Sequence, residues 1–426
     1  MGLFSRKETP QAPVYRAWAD EPVLRGRTTN MRADGYDPAV VFITLGLLAM
    51  GALMVYSASI SLADSPRYNT TQYHFLLRHL SSIALGIVAA YAVCRIPMRV
   101  WYKLAPWLMA AAVLFLVAVL VPGVGKSVNG SRRWINLGLM NLQVTEFAKF
   151  AILLGAAAFT VRRQDYMHSF SKGLGPMALV MCMVAGLISL QPDLGAIMVT
   201  VAIAMGVLFL GGLNLRIFVV VSIAVVAVVT LMIYDSPWRL QRVMAYLDPW
   251  SSDYALNKAY QLSHSLIAFG RGELLGVGLG ASVEKLHYLP EAHTDFILAV
   301  LGEELGFVGV TGVLIGYYCF VRRAFAIGRQ AIKLDRVFSG LVAEGVGIWI
   351  GIQVVINAGV ATGLLPTKGL TLPLMSYGGS SLLFTLAAVG LLLRVDRENR
   401  ILMRGGKRSE ERRVGKEWRS RGSPKH

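Results

Sequence analysis

The sequence predicts an all-α polytopic membrane protein with about ten transmembrane helices. Three observations carry this assignment. Of 426 residues, 55% are hydrophobic and only 16% charged, and the mean hydropathy is +0.53, whereas a soluble domain carries about 25% charged residues. Apolar runs of about 20 residues, the length a helix needs to cross the hydrocarbon core, recur from residue 38 to residue 395. The runs are continuous rather than alternating, so helices and not barrel strands must satisfy the backbone in lipid.

Residues 1–37 are polar and basic, with Arg6, Lys7, Arg16, Arg25, Arg27 and Arg32, and read as a cytoplasmic tail without a cleavable signal peptide. A ten-helix domain is expected over 38–400, with spans near 38–60, 75–94, 104–121, 144–161, 175–190, 193–211, 217–234, 296–320, 338–361 and 377–394. Basic residues gather in alternate connections: Arg95, Arg99 and Lys103, then Arg162, Arg163, Lys172 and Arg216, then Arg322 to Arg336, then Arg394 to Arg400. The positive-inside rule places that side, and with it both termini, in the cytoplasm. The net charge of +17 therefore speaks for orientation and contact with anionic lipid, not for nucleic acid.

The 235–295 segment, between the seventh and eighth spans, is the one long loop on the other face, and a connection of that length suggests a functional element. Amphipathic helices against the membrane surface are expected in it. Its Gly276-Val277-Gly278-Leu279-Gly280 follows no strand of a βαβ unit and reads as a tight turn, not a nucleotide fingerprint. Cys94, Cys182 and Cys319 each lie in an apolar run with no metal-type spacing and read as packing residues. Residues 401–426 are expected to form a cytoplasmic tail. Within it, 408–426 (RSEERRVGKEWRSRGSPKH) resemble a translated DNA-sequencing adapter, so the expectation is that the reading frame ran into adapter.

Chemistry concentrates in three stretches on the face opposite the basic connections. The first is Pro290-Glu291-Ala292-His293-Thr294-Asp295-Phe296, at the start of a span. A helix cap would account for one acidic or hydroxyl residue there, but not for Glu291, His293 and Asp295 together. A carboxylate set against apolar residues loses water, gains proton affinity and suits general-base work. Further into the span, Glu303 and Glu304 point away from Asp295 in different directions, at roughly 100° per residue, so the two cannot share one partner. Either is open to a structural role, paired to an arginine or a backbone group.

The second stretch is Asn129-Gly130-Ser131-Arg132-Arg133-Trp134-Ile135, followed by Thr145-Glu146-Phe147-Ala148-Lys149. Forked guanidinium donors on Arg132 and Arg133 suit phosphate, and Trp134 suits the headgroup level or a stacked sugar. Glu146 and Lys149, three apart, can pair on one helix face. The third stretch runs from Leu364 to Ser381. Its prolines and glycines exclude a plain helix, and irregular backbone at membrane depth belongs where it lines a cavity. Lys368 with the donors of Ser376 and Ser380 suits an anion. Smaller signals are Asp193 in the Gln191-Pro192-Asp193 turn, read as a helix cap, and Arg239 and Arg242, which suit anionic headgroups.

NGSRRWI (129–135), TEFAK (145–149), PEAHTDF (290–296) with GEELG (302–306), and LPTKGLTLPLMSYGGSS (365–381) occur in this order, and together they resemble the SEDS family (shape, elongation, division and sporulation) over residues 38–400. Lys368 in its Thr-Lys-Gly and the long basic tail are closer to the division branch than to the elongation branch. Thr145, where a serine is frequent, and His287, where an acidic residue is common, depart from the pattern.

The resemblance implies a peptidoglycan glycosyltransferase of the inner (plasma) membrane that polymerises lipid II at the division septum. Its site would face the periplasm, and its transfer would be inverting, with release of undecaprenyl diphosphate. Asp295 matches the family's essential aspartate and would deprotonate the acceptor hydroxyl or position a divalent metal, Mg or Mn. Arg132, Arg133 and Lys368 would offset charge on the diphosphate. A class B penicillin-binding protein and other divisome membrane proteins would be its partners. A lipid II flippase and a purely structural scaffold are the competing classes. A flippase needs polar residues along the whole depth, where this sequence shows a one-sided cluster.

Overall fold

A computed structural model of the chain describes residues 35–64, 71–128, 131–136, 138, 141–167, 169–251, 253–254, 257 and 259–421. The basic residues of the N-terminal tail, Asn129 and Gly130 of the second motif, and residues 422–426 lie outside the described residues, as do the side chains from 406 onward.

Helix α1 (Pro38–Ser59) begins where the Asp37 carboxylate accepts the Val40 N–H at 3.1 Å, with proline in the first turn, where its missing N–H costs nothing. Helices α2 (His74–Arg95) and α3 (Met98–Ala118) follow. A small antiparallel sheet comes next: β1 (Gly125–Val128), β2 (Ser131–Asn136) and β3 (Asn141–Gln143), paired in chain order. Then come α4 (Val144–Arg162), α5 (Gly175–Ser189), α6 (Leu194–Leu210) and α7 (Leu215–Tyr234). The long loop holds α8 (Pro237–Leu247) and α9 (Tyr260–Gly272). Helices α10 (Ile297–Lys333), α11 (Val337–Ala361) and α12 (Gly379–Arg421) complete the chain.

Among the described residues, nine of these helices are long and apolar enough to cross a membrane, and α6, at 17 residues, is an apolar tenth. They coincide with the ten runs seen in the sequence. Helices α4, α11 and the apolar part of α12 are mostly buried, whereas α2 buries few residues and α7 none.

The structure departs from the sequence expectation in three places. Within the 122–143 connection, residues 125–128, 131–136 and 141–143 pair as a sheet, and Asn129-Gly130 between the β1 and β2 ranges is a hairpin signal in the sequence. Helix α12 continues as one helix through Arg421, although its apolar part ends near Gly405. Helix α10 breaks at Gly306 (φ 64°, ψ −166°), a left-handed conformation that glycine alone adopts cheaply.

The break admits a stretch of the long loop. The Val277 N–H donates to Glu303 O at 3.0 Å, Gly278 N–H to Glu304 O at 3.1 Å, and Phe307 N–H to Glu273 O at 2.9 Å. Glu303 accepts from the Ser282 hydroxyl and from the Val283 N–H at 2.9 Å, and it forms an ion pair with Arg271 at 3.4 Å. Glu304 pairs with buried Lys285 at 2.7 Å and accepts from Ser57 of α1 at 2.6 Å. The two glutamates thus hold different partners and clasp the segment that leads to Asp295. Approach at the clasp leaves no room for a Cβ: at Gly276 (φ 81°) it would lie 2.2 Å from Glu304 O, and at Gly306 2.4 Å from Gly276 N. Gly276→Ala is expected to destabilise the protein by more than the ~1–2 kcal/mol of the left-handed backbone alone, because the blocking atoms are main chain. Thermal unfolding of the purified variant checks this, and an unchanged midpoint would contradict it.

The opposite end of the bundle is closed by ion pairs. Arg323 donates to Asp37 at 2.8 Å and Arg400 to Asp37 at 3.3 Å. Glu398 accepts from Arg336 at 2.6 Å, Arg394 at 2.8 Å and the Met98 N–H at 3.0 Å.

Candidate active site

A cavity of about 780 Å³ opens at the end of the bundle where α10 begins. Its walls come from the ends of several elements: Arg133 and Trp134 of β2, Glu146 of α4, Asp193 and the first turn of α6, Arg239 and Arg242 of α8, Glu291 and Thr294 to Phe296 before α10, Thr367 to Thr371, and Ser380 at the start of α12.

Asp295 sits in this wall with its carboxylate free of helix-capping duty. The residue preceding the first turn of α10 is Phe296, and no side chain caps it. The Asp295 N–H donates to Glu291 O at 3.1 Å, and its carbonyl accepts from the Asn357 amide at 2.9 Å; the same amide donates to Leu370 O at 2.6 Å. Asn357 of α11 therefore fixes the PEAHTDF turn against the 362–378 connection. Gly369 brings its backbone onto the carboxylate, since a Cβ there would lie 2.8 Å from Asp295 Oδ2. His293 packs between Phe75 and Tyr377, with ring centroids 5.2 and 5.5 Å away, and its carbonyl accepts the Tyr377 N–H at 3.0 Å.

No basic side chain among the described residues lies within ion-pair distance of Asp295. Burial, and then the negative charges of Glu291 and Asp193, push the carboxyl up to about 7, against a smaller downward pull from Arg133. Around it stand four cations. Arg133 is held by Asp193 at 3.5 Å and by the carbonyls of Gln191 at 2.8 Å and Pro192 at 3.1 Å. Lys368 is held down to about 8, first by burial and then by Arg242 and Arg239, while Asp193 pulls it upward. A base poised near neutrality faces a cluster of anion-binding groups.

From the wall inward, Glu146 pairs with Lys149 at 2.8 Å. Lys149 also donates to Gln353 Oε1 at 3.1 Å and lies 5.4 Å over the Trp349 ring. Gln353 passes the linkage on, donating to Thr371 O at 2.9 Å, and Thr371 meets Ser381 at 3.0 Å. Buried polar groups are held only when hydrogen-bonded. This chain of bonds thus ties α4 and α11 to the irregular connection that carries Lys368.

The structure brings Asp295, Glu291, Arg133, Trp134, Glu146, Lys368 and Ser380 to one cavity. Lys149 and His293 stand behind its wall, and Glu303 and Glu304 lie in the clasp. Two residues expected to bind substrate, Arg132 and Ser376, lie outside the cavity lining. Arg132 is exposed, whereas its strand neighbours Ser131, Arg133 and Trp134 reach the cavity. Ser376 is buried outside the cavity, where its hydroxyl accepts the Leu372 N–H at 2.8 Å and closes a turn. Asn357 and Gln353 escaped the sequence reading, although an amide inside an apolar span is itself a signal. Asp193 was legible only as a cap; it does cap α6, accepting the Ala196 N–H at 3.0 Å, and it also orients Arg133.

The family model described as "Cell cycle protein" (FtsW, RodA, SpoVE) matches residues 38–401. The chain is similar to the "Probable peptidoglycan glycosyltransferase FtsW" of Burkholderia thailandensis, 57% identical over 382 residues, covering 89% of this chain and 83% of that protein. The protein of the same name from Polynucleobacter necessarius is 55% identical over 395 residues, covering 92% and 93%. Among solved structures, a chain of a peptidoglycan synthase complex described in terms of polymerization and crosslinking superposes with TM-score 0.68 at 32% identity, covering 86% of this chain and 98% of that one. The rod shape determining protein RodA of Thermus thermophilus superposes with TM-score 0.62 at 31% identity, covering 86% and 99%. With its helices, cavity motifs and relatives in agreement, the chain belongs to the FtsW/RodA/SpoVE family of cell cycle proteins.

Proposed function

We propose that the protein is a peptidoglycan glycosyltransferase that polymerises lipid II during cell division. The observation that carries the chemistry is Asp295: a carboxylate with raised proton affinity, without an ionic partner among the described residues, in a cavity that also holds Arg133, Arg239, Arg242 and Lys368. In its ionised form Asp295 takes the proton from the acceptor sugar hydroxyl as that oxygen attacks the anomeric carbon of the donor. The bond from that carbon to the diphosphate breaks in the same displacement, inverting the centre, and undecaprenyl diphosphate leaves. The cations stabilise the charge growing on the leaving group, where preorganised donors count most. Trp134 offers a face to a sugar ring.

A divalent ion, where one takes part, would be held by Asp295 and Glu291 with phosphate oxygens, since magnesium takes one or two carboxylates plus substrate phosphates. It would supply charge neutralisation. Among the described residues no three His, Cys, Asp or Glu side chains gather to hold an ion without substrate.

The reading favours an inner-membrane protein at the septum, with the cavity facing the periplasm, working beside a class B penicillin-binding protein and other divisome membrane proteins. The synthase complex among its structural neighbours supports such a partner. Against transport, the cavity is lined from one end of the bundle, and the buried glutamates are occupied in the clasp. Purified protein, co-purified with its transpeptidase partner and given lipid II, is expected to make long glycan strands. Absence of polymer, with lipid II still crossing vesicle membranes, would overturn the proposal in favour of a flippase.

A further inference from the structure

Helix α8 has two unlike faces. Leu240, Met244 and Leu247 recur on one side and are exposed, at 36%, 48% and 69%. Arg239, Arg242 and Tyr246 lie on the other side, and the two arginines line the cavity. Exposed large apolar residues on one helix face mark an interaction surface, and the tethers of the helix say what covers it.

At its first turn, Arg239 donates to Met232 O at 2.9 Å, in the last turn of α7. At its last turn, the Tyr246 hydroxyl donates to Leu364 O at 3.0 Å, just beyond the end of α11. Helices α7 and α11 both end on the same side of the bundle, because α10 crosses one way and α11 returns. An 11-residue helix is about 16 Å long at 1.5 Å per residue. Pinned at both ends to the same surface, α8 runs along that surface. Helix α7, separated from it by Asp235 and Ser236 alone, is an apolar span in which no residue is buried within the protein. Trp250, 60% exposed, follows α8, and exposed tryptophans beside a span are the residues that anchor in the headgroup region.

We infer that α8 is seated in the bilayer interface, its Leu240-Met244-Leu247 face immersed in the leaflet on the cavity side, and that it thereby holds Arg239 and Arg242 at the depth of the lipid phosphates as the membrane-side lip of the cavity. The occupant of the apolar face is lipid. An interfacial helix of this pattern buries its apolar side at the boundary of headgroup and acyl chain. The arginine side then meets the diphosphate of a lipid-linked substrate without lifting it out of the leaflet. This role for the lip rests on the glycosyltransferase reading; the seating of the helix does not.

The test separates the two. Nitroxide labels are placed singly at Leu240→Cys, Gln241→Cys, Met244→Cys and Leu247→Cys, with exposed Cys182 and Cys319 replaced by alanine and buried Cys94 retained. The full chain is reconstituted in phosphatidylethanolamine–phosphatidylglycerol vesicles. Collision with oxygen is expected to exceed collision with a water-soluble nickel chelate several-fold at 240, 244 and 247, with the order reversed at Gln241. Nickel dominance at 244 and 247 would overturn the proposal, and so would protection from both reagents, which signals a protein cover. In the second arm, Met244→Glu is expected to raise KM several-fold for long-chain lipid II in vesicles while leaving kcat, and leaving KM for a short-chain analogue in detergent. Equal effects on both substrates would remove the lip's role even with the helix seated in lipid.

Discussion

Asp295→Asn lowers glycan polymerisation by about 10²–10⁴-fold, the range for loss of a positioned general base, while the variant folds and still binds its partner. The amide keeps the volume and the hydrogen bonds of the carbonyl to Asn357, so the loss isolates the carboxylate. The pH profile of kcat/KM carries the second half of the prediction. Asp295 works ionised, so activity rises as pH passes about 7. Lys368 works protonated, so activity falls as pH passes about 8. The two limits give a narrow bell for the free enzyme. Glu291→Gln removes a negative charge that raises Asp295, so the acid limb moves to lower pH. Lys368→Arg keeps a cation that does not titrate, so the alkaline limb moves outward. Strand length measured on gels across pH checks all four proteins. Full activity in Asp295→Asn, or an acid limb unmoved in Glu291→Gln, would put the base elsewhere.

The spans were legible because lipid imposes one strong rule on sequence: a helix must be apolar for its whole crossing. Asp295, Glu291, Arg133 and Lys368 were legible for the complementary reason, that charge beside a span is costly enough to need a use. What escaped depends on three-dimensional closure. Which of Arg132 and Arg133 reaches the cavity depends on how β2 is placed, and β2 pairs with a β1 that no apolar pattern announces. Ser376 and Ser380 are four apart with the same chemistry; one closes a turn, and the other donates to Asn141 O at 2.7 Å at the cavity wall. The 100° per residue used to place Glu303 and Glu304 holds only up to Gly306, where the helix breaks to take in the loop. That loop, remote in pattern from any span, supplies the partners of both glutamates.

Glu304→Ala is expected to cost about 3–5 kcal/mol, the penalty for stranding one member of a buried ion pair. Lys285 is only 3% exposed and Glu304 fully buried, so the ammonium cannot reach water without undocking the loop. The undocked loop would release the turn that carries Asp295, so activity falls with stability. The double variant Glu304→Leu with Lys285→Met removes both charges at similar volume, a change that is often neutral or stabilising. It is expected to regain most of the midpoint lost in Glu304→Ala, and polymerising activity with it, leaving only the Ser57 hydroxyl short of an acceptor. Thermal unfolding and polymerisation measured on the same preparations decide the role of this glutamate. A stable double variant that makes no glycan would mean that Glu304 carries protons or contacts substrate, and would reopen the case for a route through the membrane. Recovery of both properties would confine its role to holding the loop, with the chemistry left to Asp295 above it.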